Sequence, residues 1–145
     1  MNALHRIKSA LGVGLGAAAI LLAACAGMTS AKSVNVTLSG SEEVPPVSTT
    51  ARGSGTIRVG EDMSVSGSFT VSGLSPFAAH IHIGARGTNG PVAVGFTKTA
   101  DNVWSLPAGA KFTDAQHRAF LAGETYVNVH TPANKGGEIR GQLRP

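Results

Sequence analysis

The chain is 145 residues long, carries a formal net charge of +4 and contains a single cysteine. This length suits one domain, and one cysteine excludes both a disulfide framework and a cysteine-based zinc cluster. With 42% apolar and 14% charged residues, the composition also excludes a wholly disordered chain.

The N-terminal segment has the pattern of an export signal. Arg6 and Lys8 precede an apolar run over residues 11–26, which is interrupted only by glycines. This run has 16 residues, whereas a membrane-spanning helix needs roughly 20. A basic start followed by a short apolar run is typical of a secretory signal peptide.

The end of that run, Leu-Ala-Ala-Cys with Cys25 last, resembles the lipobox of bacterial lipoproteins. The resemblance implies cleavage before Cys25 and lipid attachment to that residue. It also implies outer-membrane sorting, because Ala26 follows rather than Asp. We therefore predict a signal peptide at 1–24, a lipidated tether at 25–32 and a domain at 33–145. The alternative is cleavage further on, which gives a soluble periplasmic or secreted product.

Removal of residues 1–24 changes the charge that bears on a partner. Arg6 and Lys8 leave with the leader, so ten cations remain against eight acids, a formal charge of +2. The remaining cations are scattered and form no basic run. We therefore expect no nucleic-acid partner.

The rest of the chain alternates apolar and polar residues with a period of two. The pattern runs through residues 34–39, 56–59 and 63–72, and clusters of Gly, Pro, Ser and Asp separate these segments. Such alternation is typical of half-buried strands. Many short strands at near-regular spacing predict an all-β fold, an antiparallel Greek-key-like β-sandwich.

One segment departs from this alternation and predicts a short helix at 114–122. Thr113 and Gln116 have the spacing of a capping box, and Gly123 is a suitable stop. We expect the helix to pack Phe120 against the sandwich.

Several motifs occur in an order that resembles the CHRD family, the domain first named from chordin. They are LSGSEEVPP at 38–46, GLSPFAAHIHIG at 73–84, GTNGPV at 87–92, YVNVHT at 126–131 and NKGGEIRGQL at 134–143. The resemblance covers residues 34–144. It implies an all-β extracytoplasmic domain and no established reaction, and the growth-factor partners of chordin do not transfer to a bacterial lipoprotein.

Three histidines form a candidate metal site. His80 and His82 are two apart and therefore share one face of a strand, and in a later strand Tyr126, Asn128 and His130 share a face. If the two strands are neighbours, the three imidazoles converge. Three imidazoles suit Cu(II), Zn(II) or Ni(II) with one open position, and shared coordination requires their nitrogens to lie within about 4 Å of one another.

The interpretation we favour for these histidines from the sequence is a structural hydrogen-bonding cluster, with the rings bonded to carbonyls of the loops at 84–90 and 131–137. The layout also has a weak, partial resemblance to the copper ligands of copper/zinc superoxide dismutase. It lacks the disulfide pair and an identifiable bridging histidine, so the activity is not carried over.

Asn128, Glu138 and Arg140 are the predicted supporting residues. Glu138 and Arg140 belong to a final half-buried strand, where they either orient loops near the histidines or pair with Glu42 and Glu43. A surface ion pair is the interpretation we favour from the sequence. Glu42 and Glu43 precede Pro45 and are expected in a turn that can hold a cation.

The sequence contains no recognisable nucleophile–base arrangement, so we predict no catalytic residue. The favoured function is a non-enzymatic, membrane-anchored binding or structural module whose partner is an unknown envelope protein or polymer. The alternative is a periplasmic protein that binds copper, or zinc, through His80, His82 and His130. A redox enzyme resembling superoxide dismutase ranks last.

Overall fold

A computed structural model describes residues 30–145. Cys25 and the predicted signal peptide at 1–24 lie outside the described residues, as does most of the predicted tether. Within the described part of the chain, no helix is both long enough and apolar enough to span a membrane.

The described residues form nine strands and one short α-helix, so the all-β prediction is confirmed. In chain order the elements are β1 (Ala31–Ser39), a 3-10 turn (Gly40–Glu42), β2 (Arg52–Gly60), β3 (Val65–Ser72), β4 (Ala78–Ile83), β5 (Val92–Gly95), β6 (Thr97–Ala100), β7 (Val103–Ser105), α1 (Asp114–Leu121), β8 (Thr125–His130) and β9 (Ile139–Leu143).

The strands make one antiparallel sheet in the order β5-β4-β8-β9-β1-β2-β3-β7-β6. Its first and last strands, β5 and β6, are separated in sequence by Phe96 alone. The two ends of the sheet must therefore lie side by side, and the sheet is nearly closed. The two layers expected of a sandwich are thus two halves of one folded sheet.

The core lies between these halves and contains the inward-facing residues of the alternating pattern. At the junction, the Phe96 ring packs edge-to-face on Phe69, with ring centroids 4.8 Å apart. The Phe96 N–H donates to the Ala79 carbonyl at 2.9 Å. The fully buried members of the core include Leu38, Ile57, Ile81, Phe120, Val127, Val129, Ile139 and Leu143.

The helix prediction is confirmed, with an end one residue earlier than expected. The Thr113 hydroxyl accepts from the Gln116 N–H at 3.3 Å, and the Gln116 side chain accepts from the Thr113 N–H at 2.8 Å. This capping box starts α1, and Gly123 follows its end with a φ of +73°. Phe120 is fully buried, as expected.

Strand β1 begins two residues before the predicted domain boundary at residue 33. Ala31 pairs with Gly60 and Lys32 with Val59 in the β1–β2 ladder. The last two residues of the predicted tether therefore pair with β2.

Candidate metal site

The register of β4 against β8 brings the three histidines together. Ala78 pairs with His130, His80 with Asn128 and His82 with Tyr126. Directly paired residues point to the same side of a sheet, so the imidazoles share one face. The intervening Ile81, Val127 and Val129 are fully buried in the core on the other face.

The rings of the three histidines form a compact triangle. Their centroids are 4.9 Å apart for His80 and His130, 5.5 Å for His80 and His82, and 5.9 Å for His82 and His130. One nitrogen from each ring lies within 4.8 Å of the others. The widest spacing exceeds the expected limit of about 4 Å, so joint coordination requires the rings to approach by about 1 Å.

Backbone carbonyls set the tautomers of two of these rings. His82 Nδ1 lies 2.9 Å from the Gly90 carbonyl oxygen, and His130 Nδ1 lies 2.9 Å from that of Lys135. A carbonyl oxygen only accepts, so both Nδ1 atoms carry the proton. The Nε2 atoms of His82 and His130 therefore carry lone pairs, and both rings have the outer hydrogen bond that is typical of metal-ligating histidines.

His80 completes the triangle through its own Nδ1, which lies 3.0 Å from His130 Nε2. Because His130 Nε2 is the acceptor, neutral His80 donates this bond. The spacing also equals what two nitrogens have when they bind one ion at about 2.0–2.1 Å and nearly right angles. If an ion replaced the proton between His80 Nδ1 and His130 Nε2, the proton of His80 would have to move to its Nε2.

His82 Nε2 has a different environment from the other ligand nitrogens. It is shielded from solvent and has no hydrogen-bond partner among the described residues. A buried acceptor left unpaired costs about 1–3 kcal/mol. The lone pair of His82 is therefore available to an electrophile.

Burial also favours the neutral form of the imidazoles. Desolvation lowers the pKa of His80 and of His82 below the ordinary histidine value. The hydrogen bond to the Gly90 carbonyl opposes this fall in the pKa of His82, and repulsion from His130 lowers the pKa of both residues further. Metal ions bind neutral imidazole, so these rings are in the ligand form at neutral pH.

The side chains of Tyr126 and Arg140 form a stack with the His82 ring. The Tyr126 ring lies parallel to the His82 ring, with centroids 5.0 Å apart and planes at 7°. The Arg140 guanidinium covers the other face of Tyr126, 3.4 Å from the ring centroid. The Tyr126 hydroxyl accepts from the Gly90 N–H at 3.2 Å, so the same tyrosine also holds the loop that orients His82.

The favoured prediction of a surface ion pair for Glu138 and Arg140 is wrong, because both side chains are buried. Arg140 donates to the carbonyls of Ala85 and Thr88 at 3.2 and 2.8 Å, and so anchors the 84–90 loop. Glu42, which the sequence suggested as a partner of Arg140, forms an ion pair with Arg86 instead. Glu42 Oε1 lies 2.7 Å from Arg86 Nη2.

Glu138 fixes the other loop that covers the site. Its carboxylate accepts from the Thr131 hydroxyl at 2.6 Å and from the Thr49 hydroxyl at 2.9 Å. The hydrogen bond from Thr131 has the largest effect on Glu138 and lowers its pKa. The bond from Thr49 lowers the pKa further, and desolvation opposes both. Glu138 thus orients the 131–137 loop, whose Lys135 carbonyl holds His130.

Glu43 was expected in a turn that can hold a cation, and its side chain is buried beside Asn128. The Asn128 amide donates to Glu43 Oε1 at 2.9 Å and to the Gly136 carbonyl at 3.3 Å. Burial raises the pKa of Glu43 to about 7, although attraction to Arg140 and the Asn128 bond oppose that rise. Its neighbour Glu42 carries the exposed ion pair, and nothing in the sequence distinguishes the two acids.

Sequence reasoning found the three histidines and the supporting residues Asn128, Glu138 and Arg140, but missed Tyr126 and Glu43 as parts of the same cluster. From the sequence, Tyr126 was placed on the strand face of Asn128 and His130 but was given no role. Its place two residues before Asn128, on the strand face that carries His130, was the available signal.

The comparison with known proteins finds a family match over nearly all of the described chain. A family model described as CHRD domain matches residues 34–143. No curated protein matches the chain, and no solved structure matches it.

Proposed function

The chain belongs to the CHRD domain family, and on that premise we propose that it is a non-enzymatic envelope domain that binds one divalent metal ion. The ligands are His80, His82 and His130. The ion would lie between β4 and β8 on the polar face of the sheet, after the rings approach by about 1 Å. The supporting residues act by holding the two loops whose carbonyls orient the rings.

The observation that carries this proposal is the convergence of three histidine nitrogens within 4.8 Å of one another, at a place where His82 Nε2 is buried with no partner among the described residues. A purely structural histidine cluster is expected to use both nitrogens of each buried ring, because an unpaired buried acceptor is destabilising. His82 uses only Nδ1, for the Gly90 carbonyl. Its other nitrogen lies in a group of three converging histidine ligands.

The chemistry of the donor set favours copper(II), with zinc(II) as the second candidate. All three ligands are imidazole nitrogens, which suit both ions, and the affinity of such a site peaks at copper(II) among the divalent first-row metals. Three protein ligands leave a coordination position open. The hydroxyl and carboxylate groups nearby are occupied by one another, as with Glu138 and Thr131.

A metal titration of the purified domain, residues 30–145, tests the proposal. We expect binding of one Cu(II) or Zn(II) per chain, and we expect His82→Ala to weaken it at least 100-fold because one of three ligands is lost. The matched control is His117→Ala, since His117 lies on α1 outside the cluster. Equal affinities for the wild type and His82→Ala contradict the proposal.

The envelope location rests on the sequence motif that ends at Cys25. We propose lipid attachment at this residue, and two or more acyl chains give a stable anchor. Labelling of cells with a radioactive fatty acid should mark the wild-type protein and leave Cys25→Ser unmarked. Unaltered labelling of Cys25→Ser, or an unlabelled wild type, contradicts this part of the proposal.

A further inference from the structure

The histidine cluster has an apolar rim. Among the described residues, Phe77 is 59% exposed and Val92 is 52% exposed, and both flank the cluster. The Phe77 ring lies 6.3 Å from the His130 ring, centroid to centroid. Val92 pairs with His82 beyond a register shift between Ile81 and His82. Ala93 and Val94 both pack against the core, so the bulge leaves Val92 on the face of His82.

His80 lies between these two apolar side chains and is open on one side. Its cross-strand partner on β5 is Gly95, which has no side chain to cover the ring. A Cβ on Gly95 would come within 3.7 Å of His80 Cδ2. The glycine therefore leaves His80 with no side chain opposite it on β5, and we call this gap the notch.

The charge of a loaded site favours an anion at this notch. Three neutral imidazoles leave a divalent ion with its full 2+ charge, and Arg140 adds a cation behind Tyr126. The nearby carboxylates are not ligands of the ion, because Glu43 accepts from Asn128 and Glu138 accepts from Thr49 and Thr131. An anionic ligand with an apolar body would bind the ion through its charge and pack its body against the apolar rim.

We propose that the open coordination position takes the carboxylate of a small organic acid, whose apolar body packs against Phe77 and Val92. This inference rests on the proposed metal site and identifies its ligand class. Exposed apolar side chains beside a polar site are the expected mark of such a ligand surface. The carboxylate supplies the charge interaction, and the rim selects acids with an apolar body.

Benzoate and acetate are suitable probes, because they offer the same donor group and charge but differ in the apolar body. With the Cu(II)-loaded domain, followed by its visible absorption, we expect benzoate to bind about fivefold more tightly than acetate, as partial burial of one ring predicts. Phe77→Ser should reduce this preference to less than twofold, and Phe77→Leu should retain part of it. Leu121→Ser is the matched control, because Leu121 is similarly exposed on α1.

The outcomes separate this inference from the metal proposal. Copper affinity is measured first for every variant, and Phe77→Ser should leave it unchanged because Phe77 is not a ligand. If the metal binds but benzoate and acetate bind equally, the metal proposal stands and the organic-acid inference is wrong. A preference that survives Phe77→Ser also overturns the inference, and a domain that binds neither Cu(II) nor Zn(II) overturns both.

Discussion

At the scale of single residues, the site depends on how each histidine divides its two nitrogens. His82 and His130 each donate one N–H to a loop carbonyl, which keeps the other nitrogen free of a proton. From the sequence, these hydrogen bonds and metal binding were alternatives. In the structure the bonds to loop carbonyls are present, and they are the contacts that make the rings suitable ligands.

Glu43 gives a prediction at the same scale. Its pKa is about 7 in the folded protein, above the ordinary carboxyl value, so the folded state holds a proton that the unfolded state has released. Stability from this group is therefore present below the unfolded pKa and lost as pH rises to about 7. We expect Glu43→Gln to remove this loss, because the amide oxygen still accepts from Asn128.

Urea unfolding between pH 5 and pH 8 measures this effect. The stability of Glu43→Gln relative to the wild type should increase by about 2 kcal/mol over this range, allowing for solvent that reaches the carboxylate. His80 and His82 contribute in the opposite direction, because their lowered pKa values make stability rise with pH. Their contribution cancels in the difference between Glu43→Gln and the wild type. Glu42→Gln is the control and should show no comparable trend. A constant difference for Glu43→Gln contradicts the assignment.

At the scale of elements, two loops bury the polar face of β4, β8 and β9. This outer face is covered by residues 84–90 and 131–137, which Arg140 and Glu138 hold in place. Tyr126, Asn128 and His130 are therefore buried although they point away from the main core. Strand alternation identifies two faces of a strand, but it does not reveal that both faces are covered.

The helix α1 gives a prediction for an element whose boundary the sequence identified. Thr113→Ala removes the hydroxyl that accepts from the Gln116 N–H, and loss of such a cap costs about 1 kcal/mol. The free energy of unfolding should fall by that amount in chemical denaturation. Thr113→Ser keeps the hydroxyl and should retain most of the stability. An equal loss in both variants would show that the Thr113 methyl group, rather than the cap, is responsible.

At the scale of the whole molecule, Phe96 joins the two ends of the sheet. It lies between β5 and β6, packs on Phe69 and is 8% exposed. Phe96→Ala should lower the free energy of unfolding by about 3 kcal/mol, as expected for loss of a buried ring. Phe77→Ala is the same substitution at an exposed position and should cost less than about 0.5 kcal/mol. Similar losses at the two positions would contradict this account of closure.

Metal binding should also be visible in the stability of the whole domain, because the ligands come from two strands that the fold holds together. Zn(II) at 100 times its dissociation constant should stabilise the folded state by about 2.7 kcal/mol. The gain should disappear in His82→Ala and persist in His117→Ala. Thermal unfolding with and without a chelator measures it, and a wild-type transition that is insensitive to zinc contradicts zinc binding at this site.

Much of this molecule was predictable from local sequence patterns. The period-two alternation identified the strand-rich fold, the spacing of Thr113 and Gln116 identified α1, and the ordered motifs indicated the CHRD family. The face shared by His80 and His82 also follows from the geometry of one strand. These features depend on residues close together in the chain, so the sequence by itself determines them.

Only the tertiary structure decided which strands are neighbours and which polar groups are buried. The pairing of β4 with β8 brings His130 to His80 across 50 positions of sequence. The same folding buries Glu43 and leaves its neighbour Glu42 in an exposed ion pair. Pairing and burial arise from contacts between distant segments, and strand alternation has the same period whichever strand lies alongside.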